Sequence, residues 1–174
     1  MVGEINNSPK SSQDLLGKIL SVWRNNRVYK EIIPPFLDLG CGDNRLKSKL
    51  YGGVGIDIIN YGTADVIVKN FDSLPFKPSS FKTIAIVGSL NYFEDPLTVL
   101  AEGKRVLDEK GIIVLTMIDQ KIGRIWHSFR EPWAKYPGFT SEQLIGFCKK
   151  LELKILKKRR FMLGLNNLYV FGRS

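Results

Sequence analysis

The sequence holds one histidine, His127, and two cysteines, Cys41 and Cys148, with no CxxC spacing. So few thiols argue against a disulfide framework, a zinc ribbon and an iron–sulfur cluster, and one imidazole excludes a multi-histidine metal centre. No metal site is therefore expected. Long apolar runs are also missing. The longest, Ile112 to Ile118, is interrupted by Thr116 and falls far short of the ~20 residues that cross a bilayer. The opening MVGEINNSPKSSQD has no apolar core of the kind a secretory signal needs, so a cytoplasmic protein without a membrane span is expected. Internal repeats and low-complexity runs are absent. Acids are the minority charge: 26 Lys and Arg stand against 17 Asp and Glu, a net charge of +9. That balance suits a polyanionic partner such as RNA, or lysines that only solvate the surface.

What is present has the size and composition of one globular domain, with 174 residues, 44% hydrophobic and 25% charged. Residues 1–12 read as a flexible polar tail and 13–174 as a single domain. Leu15, Leu16, Ile19, Leu20 and Trp23 recur at helical spacing, and Pro34-Pro35 stops that helix. Short apolar runs follow at Phe36–Leu39, Val54–Ile58, Val66–Val68, Ile84–Val87 and Ile112–Ile118. They are too short for helices and rich in β-branched residues, as buried parallel strands are. Asp95-Pro96 reads as an N-cap and N1 proline opening a helix to about Asp108. Thr140 and Gln143 fit a capping box, with Phe139 and Leu144 as its hydrophobic staple. Leu144, Phe147, Cys148 and Leu151 form one stripe, which makes Cys148 a core residue. Leu153–Phe161 and Asn167–Phe171 read as a closing hairpin across Gly164. Strands alternating with helices predict an α/β fold with a mostly parallel sheet, whose ligands bind beyond the carboxyl ends of the strands.

The segment FLDLGCGDN (36–44) sits where the first strand should meet its helix. Gly40 and Gly42 allow a tight turn and close approach of a ligand to the backbone. A dinucleotide fingerprint would want glycine or alanine where Arg45 stands. Asp38, at the strand's end, would repel a pyrophosphate and attract a ligand bearing an ammonium and a sulfonium. Those charges fit S-adenosylmethionine better than NAD. At GVGIDI (53–58) a second strand ends in Asp57, 19 residues after Asp38, close to the ~20-residue spacing of a carboxylate that binds ribose hydroxyls.

Four ordered segments carry a family resemblance: FLDLGCGDN (36–44), GVGIDI (53–58), NFDSLPFKPSSFKTIAIVGSLNYFEDP (70–96) and EGKRVLDEKGIIVL (102–115). On them the chain resembles the class I S-adenosylmethionine-dependent methyltransferases, in particular their type 11 branch. The resemblance implies a Rossmann-like fold: a seven-stranded, mostly parallel sheet with an antiparallel C-terminal strand and helices on both faces. It implies S-adenosylmethionine as cofactor, with Asp38, Gly40, Cys41 and Gly42 at its methionine end. Asp57 would take both ribose hydroxyls and Ile58 would pack on the adenine. Asn70 stands where the family has an acid for the adenine amine, with Asp72 two residues on. Phe71 would give apolar contact or a backbone N–H, and Gly88, Ser89 and Leu90 would line the methionine pocket. The chain departs from the family pattern at Asn44, at Phe81-Lys82 and at Leu90-Asn91-Tyr92.

Methyl transfer from a sulfonium is an in-line displacement with an activated leaving group, so orientation in a dry site can supply much of the rate. No general base is required. Tyr92 and Asp119, at strand ends, and His127 are the candidates for contact with the acceptor. The stretch 119–139, with Trp126, Trp133, Arg124 and Arg130, reads as a lid over the acceptor pocket or as an amphipathic cover for the sheet. The run Lys149, Lys150, Lys154, Lys157, Lys158, Arg159, Arg160 reads as a solvated face or an RNA contact. The leading expectation is a methyltransferase with a small-molecule acceptor. The alternatives are an RNA or protein acceptor using the basic surface, and a catalytically idle cofactor-binding partner subunit.

Overall fold

A computed structural model of the chain describes residues 15–118 and 139–174. Helix α1 (Leu15–Val28) leads into strand β1 (Phe36–Leu39), followed by β2 (Gly53–Asp57), β3 (Val66–Ile67) and β4 (Phe81–Val87). A 3-10 turn (Leu90–Tyr92) then precedes α2 (Pro96–Val106), β5 (Leu107–Ile118), α3 (Ser141–Lys150), β6 (Leu153–Phe161) and β7 (Asn166–Arg173). All seven strands join one sheet in the order β3-β2-β1-β4-β5-β7-β6. The first five run parallel, and β7 is antiparallel to both β5 and β6. The strand order reverses between β1 and β4, and the crevice there is where such sheets bind ligands.

Strand alternation sends side chains to two cores. Leu37, Leu39, Ile84, Ile86, Ile113, Leu115, Tyr169 and Phe171 pack on the face covered by α2 and α3. Phe36, Ala85, Val114, Leu168 and Val170 pack on the other face, beneath Val28 at the end of α1 and Leu46. Helices therefore lie on both faces. Local chemistry fixes the helix starts. The Asp95 carboxylate accepts from the N–H groups of Leu97 (3.0 Å) and Thr98 (3.2 Å), with Pro96 at N1. The capping box at α3 is complete: Gln143 N–H donates to Thr140 Oγ1 (3.1 Å) and Thr140 N–H to Gln143 Oε1 (2.9 Å). Phe139 meets Phe147 edge to face, and Leu144 and Cys148 are buried.

Two sequence expectations change. No helix follows β1. Residues 42–49 form consecutive turns instead, and Asn44, with φ 51°, interrupts any helical run there. The second helix stops at Val106, because the chain passes directly into β5 at Leu107. The helix expected over Leu15 to Trp23 is present as α1, in which Ile19 and Trp23 are 55% and 40% exposed while Asn25 and Val28 are buried. Among the described residues no helix is long and apolar enough to cross a membrane.

Candidate active site

The β1–β4 crevice is built on glycines and buried acids. Gly40 leaves β1 with φ 72°, which a side-chain-bearing residue adopts only at a cost. The Gly40 and Cys41 N–H groups both donate to the Ile56 carbonyl, at 3.0 and 3.1 Å, which pins the turn onto β2. A Cβ on Gly40 would lie 2.7 Å from the Ser89 Cβ, so only glycine lets the two loops close together. Ser89 Oγ in turn donates to the Leu39 carbonyl (2.7 Å). A Cβ on Gly42 would meet nothing within 4 Å, so the turn's outer side is open.

Asp57 ends β2 and is buried. Its Oδ2 accepts from Gly42 N–H (2.8 Å) and its Oδ1 from Ile59 N–H (3.0 Å), which fixes the carboxylate's orientation. Each oxygen keeps a second lone pair for a ligand. Asn44 braces this loop, donating to the Thr63 carbonyl (2.8 Å) and to Asp65 Oδ2 (3.2 Å), while Gly55 N–H also donates to Asp65 Oδ2 (2.8 Å). Burial opposes ionisation of Asp65, but its bonds to Gly55, Lys47 and Asn44 outweigh burial and hold its carboxyl below the ordinary range.

Asp38 is the unusual group. It is buried in β1, and among the described residues its Oδ1 has no hydrogen-bond partner. Burial pushes its pKa up to about 7; Arg24 opposes that rise and Asp57 adds to it. Arg24 comes from α1, and its Nη1 lies 2.6 Å from where a Cβ on Gly88 would stand, so Gly88 (φ 73°) makes room for the guanidinium. Burial lowers the Arg24 pKa and Asp38 opposes the shift. Tyr92 lies on the same side, within electrostatic reach of Arg24. Arg24 Nε, close enough to Asp38 for the two charges to interact, is likewise buried without a hydrogen-bond partner among the described residues. Native interiors rarely leave such atoms unpaired.

The other expected residues fall as follows. Ile58 is 48% exposed and Ile67 46%, leaving an open apolar surface beside Asp57. Asn70 and Asp72 are both exposed, and Asn70 Oδ1 accepts from Asp72 N–H (3.3 Å). Phe71 is buried against Phe93, ring centroids 4.7 Å apart, and Leu90 sits in the same core. The Cys41 thiol, with its pKa pushed up to about 12 chiefly by burial, stays neutral. Asp119 and His127, with the lid residues Arg124, Trp126, Arg130 and Trp133, lie outside the described residues. Among the described residues no three His, Cys, Asp or Glu side chains group to hold a metal. Arg24 was the residue missed. Its signal was a charge in the row Leu20, Arg24, Val28 at i, i+4 and i+8, whose last member is buried.

Comparison with known proteins agrees with this geometry. The type 11 family model, described as a methyltransferase domain, matches residues 37–115. An uncharacterized protein of Methanocaldococcus jannaschii is 26% identical over 133 residues, which are 70% of this chain and 65% of the relative's length. Among solved structures, a Haloferax volcanii protein assigned as a methyltransferase, in complex with the Trm112 methyltransferase activator, has TM-score 0.77 at 13% identity, covering 94% of each chain. A SAM-dependent methyltransferase of Thermotoga maritima has TM-score 0.69 at 18% identity, covering 87% of this chain and 89% of that one. The [4+2]-cyclase SpnF has TM-score 0.70 at 14% identity, covering 97% and 85%. At such identities the structural likeness speaks for the fold alone. The family match is to a methyltransferase domain, and its residues 37–115 run from β1 into β5, the part of the sheet that frames the crevice.

Proposed function

We propose that the chain binds S-adenosylmethionine in the β1–β4 crevice and transfers its methyl group to a small-molecule acceptor. One observation carries the reading: a buried carboxylate, Asp38, whose Oδ1 has no hydrogen-bond partner among the described residues, stands near a half-buried guanidinium, Arg24, where the strand order reverses. That pair complements the ammonium and carboxylate of an amino-acid group. Asp38 would hold the ammonium, whose charge would draw the Asp38 pKa back down. Arg24 would hold the carboxylate, and Asp57, already oriented by Gly42 and Ile59, would accept from the ribose hydroxyls. The exposed face of Ile58 would meet the adenine, with Asn70 or Asp72 at its amine. When bound, the cofactor supplies a methyl group on a sulfonium, which needs no further activation. The chain's own part is then to orient the acceptor and exclude water, with Tyr92 the described side chain best placed to touch it.

The test is calorimetric titration with S-adenosylmethionine, S-adenosylhomocysteine and NAD, followed by labelled methyl transfer into fractionated extract. The adenosyl-sulfur ligands should bind and NAD should bind far more weakly. NAD binding alone would overturn the reading. A second reading rests on the departures at Lys82 and Asn91-Tyr92 and on the Haloferax relative, which was solved with an activator. In it the chain is an idle or partner-dependent subunit. Tight cofactor binding with no acceptor in any fraction would favour that reading.

A further inference from the structure

A second feature at the carboxyl end of the sheet is not absorbed by the cofactor. Between α1 and the β6–β7 hairpin lies a cavity of about 220 Å³, lined by Trp23, Arg27, Lys30, Arg159, Arg160 and Phe161. Trp23, Arg27 and Lys30 recur at i, i+4 and i+7, so α1 and its continuation present them on one side. Arg159, Arg160 and Phe161 come from the end of β6, where Phe161 pairs with Asn166 and Asn166 pairs with Ile118 at the end of β5. The acid at the cavity, Glu31, is already engaged by Lys157 Nζ at 2.5 Å. Arg27, Lys30 and Arg159 thus crowd one cavity, and Arg160, which has an interaction of its own, is not counted with them; the one acid among the described lining is Glu31. Bringing like charges together is unfavourable unless an anion offsets them. Trp23, 40% exposed, and Phe161 add aromatic surface.

We propose that this cavity is an anion subsite that holds a phosphate-ester group of the methyl acceptor. The proposal rests on the methyltransferase reading for the word acceptor, but the anion site stands on its own geometry. The volume lies below the roughly 300–1,000 Å³ of a site that encloses a whole ligand, so it takes one group of a larger molecule. Strand spacing sets the reach. β4 and β7 are two strands apart, about 10 Å, and β6 is one further, about 14 Å. The acceptor's methylated atom and its anionic group should therefore be separated by about 10–14 Å. A phosphorylated small molecule and the backbone of a single-stranded RNA share this chemistry.

The experiment compares the whole chain with the double variant Arg27→Glu/Arg159→Glu and the neutral Arg27→Gln/Arg159→Gln. Inorganic pyrophosphate is titrated by calorimetry and a single-stranded RNA of about ten nucleotides by anisotropy, at about 50 and 200 mM salt. S-adenosylmethionine affinity and thermal melting are read on the same samples. At least one anion should bind, and charge reversal should weaken it at least tenfold, with the neutral pair intermediate and cofactor affinity within twofold. Pyrophosphate binding identifies a free phosphate ester as the source; RNA binding without it identifies the backbone. For RNA, the slope of log affinity against log salt should fall by about 0.7 for each cation removed. Neither probe binding, or binding indifferent to both variants, overturns the subsite. Loss of cofactor binding in the unmodified chain would instead overturn the methyltransferase reading and leave the anion result standing. If the reversed pair melts early, the neutral pair decides.

Discussion

On one side of the β1–β4 crevice the strands carry Asp38 and Asp57, with Asp65 close behind; on the other, the β6–β7 hairpin carries Lys157, Lys158, Arg159 and Arg160. The two sides differ in rigidity as well as sign. Asp57 and Asp65 are tied to the backbone N–H groups of Gly42, Ile59 and Gly55. The basic residues are largely exposed, with Lys157 held by Glu31 and Lys158 lying over the Tyr169 ring at 5.3 Å. A pre-organised acidic site suits a ligand of fixed shape and positive charge. An adaptable basic rim suits an anionic ligand of less constrained shape. The fold thus separates acidic from basic residues along the sheet, and the two proposed binding tasks divide with them.

The largest test of the acidic side is Asp57→Ala. It would remove the charge-assisted hydrogen bonds proposed to the ribose, roughly 1.5–3 kcal/mol each, and it leaves the Gly42 and Ile59 N–H groups without their acceptor. Cofactor affinity measured by calorimetry should fall at least tenfold while circular dichroism still reports a folded chain. Unchanged affinity would place the ribose elsewhere.

Arg24→Ala comes next and sharpens the division, because Arg24 is the cation that opposes the rise of the Asp38 pKa. If Arg24 holds the methionine carboxylate as proposed, its loss should cost roughly tenfold in S-adenosylmethionine affinity, measured by titration. It should also raise the Asp38 pKa further, since Arg24 is what opposes its rise.

These two residues show what was legible in the sequence and what was not. Asp57 could be placed at the end of β2 because it closes the short apolar run that forms that strand. The strands could be read because burial on both faces leaves continuous apolar runs such as Ile112–Ile118. Arg24 could not, because periodicity in α1 pointed to Ile19 and Trp23, and which side of a helix meets the sheet is a tertiary fact. The missing helix after β1 is of the same kind. Asn44 is drawn into the left-handed region by bonds to Thr63 and Asp65, residues far along the chain, and by the space Gly55 leaves beside it.

A smaller effect follows from Asp38 itself. Its folded-state pKa is raised to about 7 from an ordinary value of 3.8. Between those values the folded chain binds more protons than the unfolded one, so this group's contribution is full below about pH 4 and is lost as pH rises through 7. Wild-type stability without cofactor, measured by denaturant midpoints, should fall across that window by about 1–4 kcal/mol relative to Asp38→Asn. Cofactor affinity should run the other way, rising through pH 7 as the carboxylate ionises, and should lose that rise in Asp38→Asn. Parallel pH profiles for the two chains would show that Asp38 is not the group that meets the ammonium.

The smallest expected effect lies on the basic side. The Lys157–Glu31 pair joins β6 to the segment after α1, with side chains 36% and 16% exposed. Pairs this open to solvent contribute roughly 0.2–1 kcal/mol. Glu31→Gln should therefore lower the melting temperature by only a few degrees. It also frees Lys157 beside the cavity, so pyrophosphate or RNA affinity should rise slightly, by about twofold, with a steeper salt dependence. Cofactor affinity should not move, because Glu31 faces the hairpin and the crevice lies beyond β5. If Glu31→Gln changed S-adenosylmethionine binding as much as Arg24→Ala does, the two sides would be one electrostatic unit, and the separation of tasks along the sheet edge would fail.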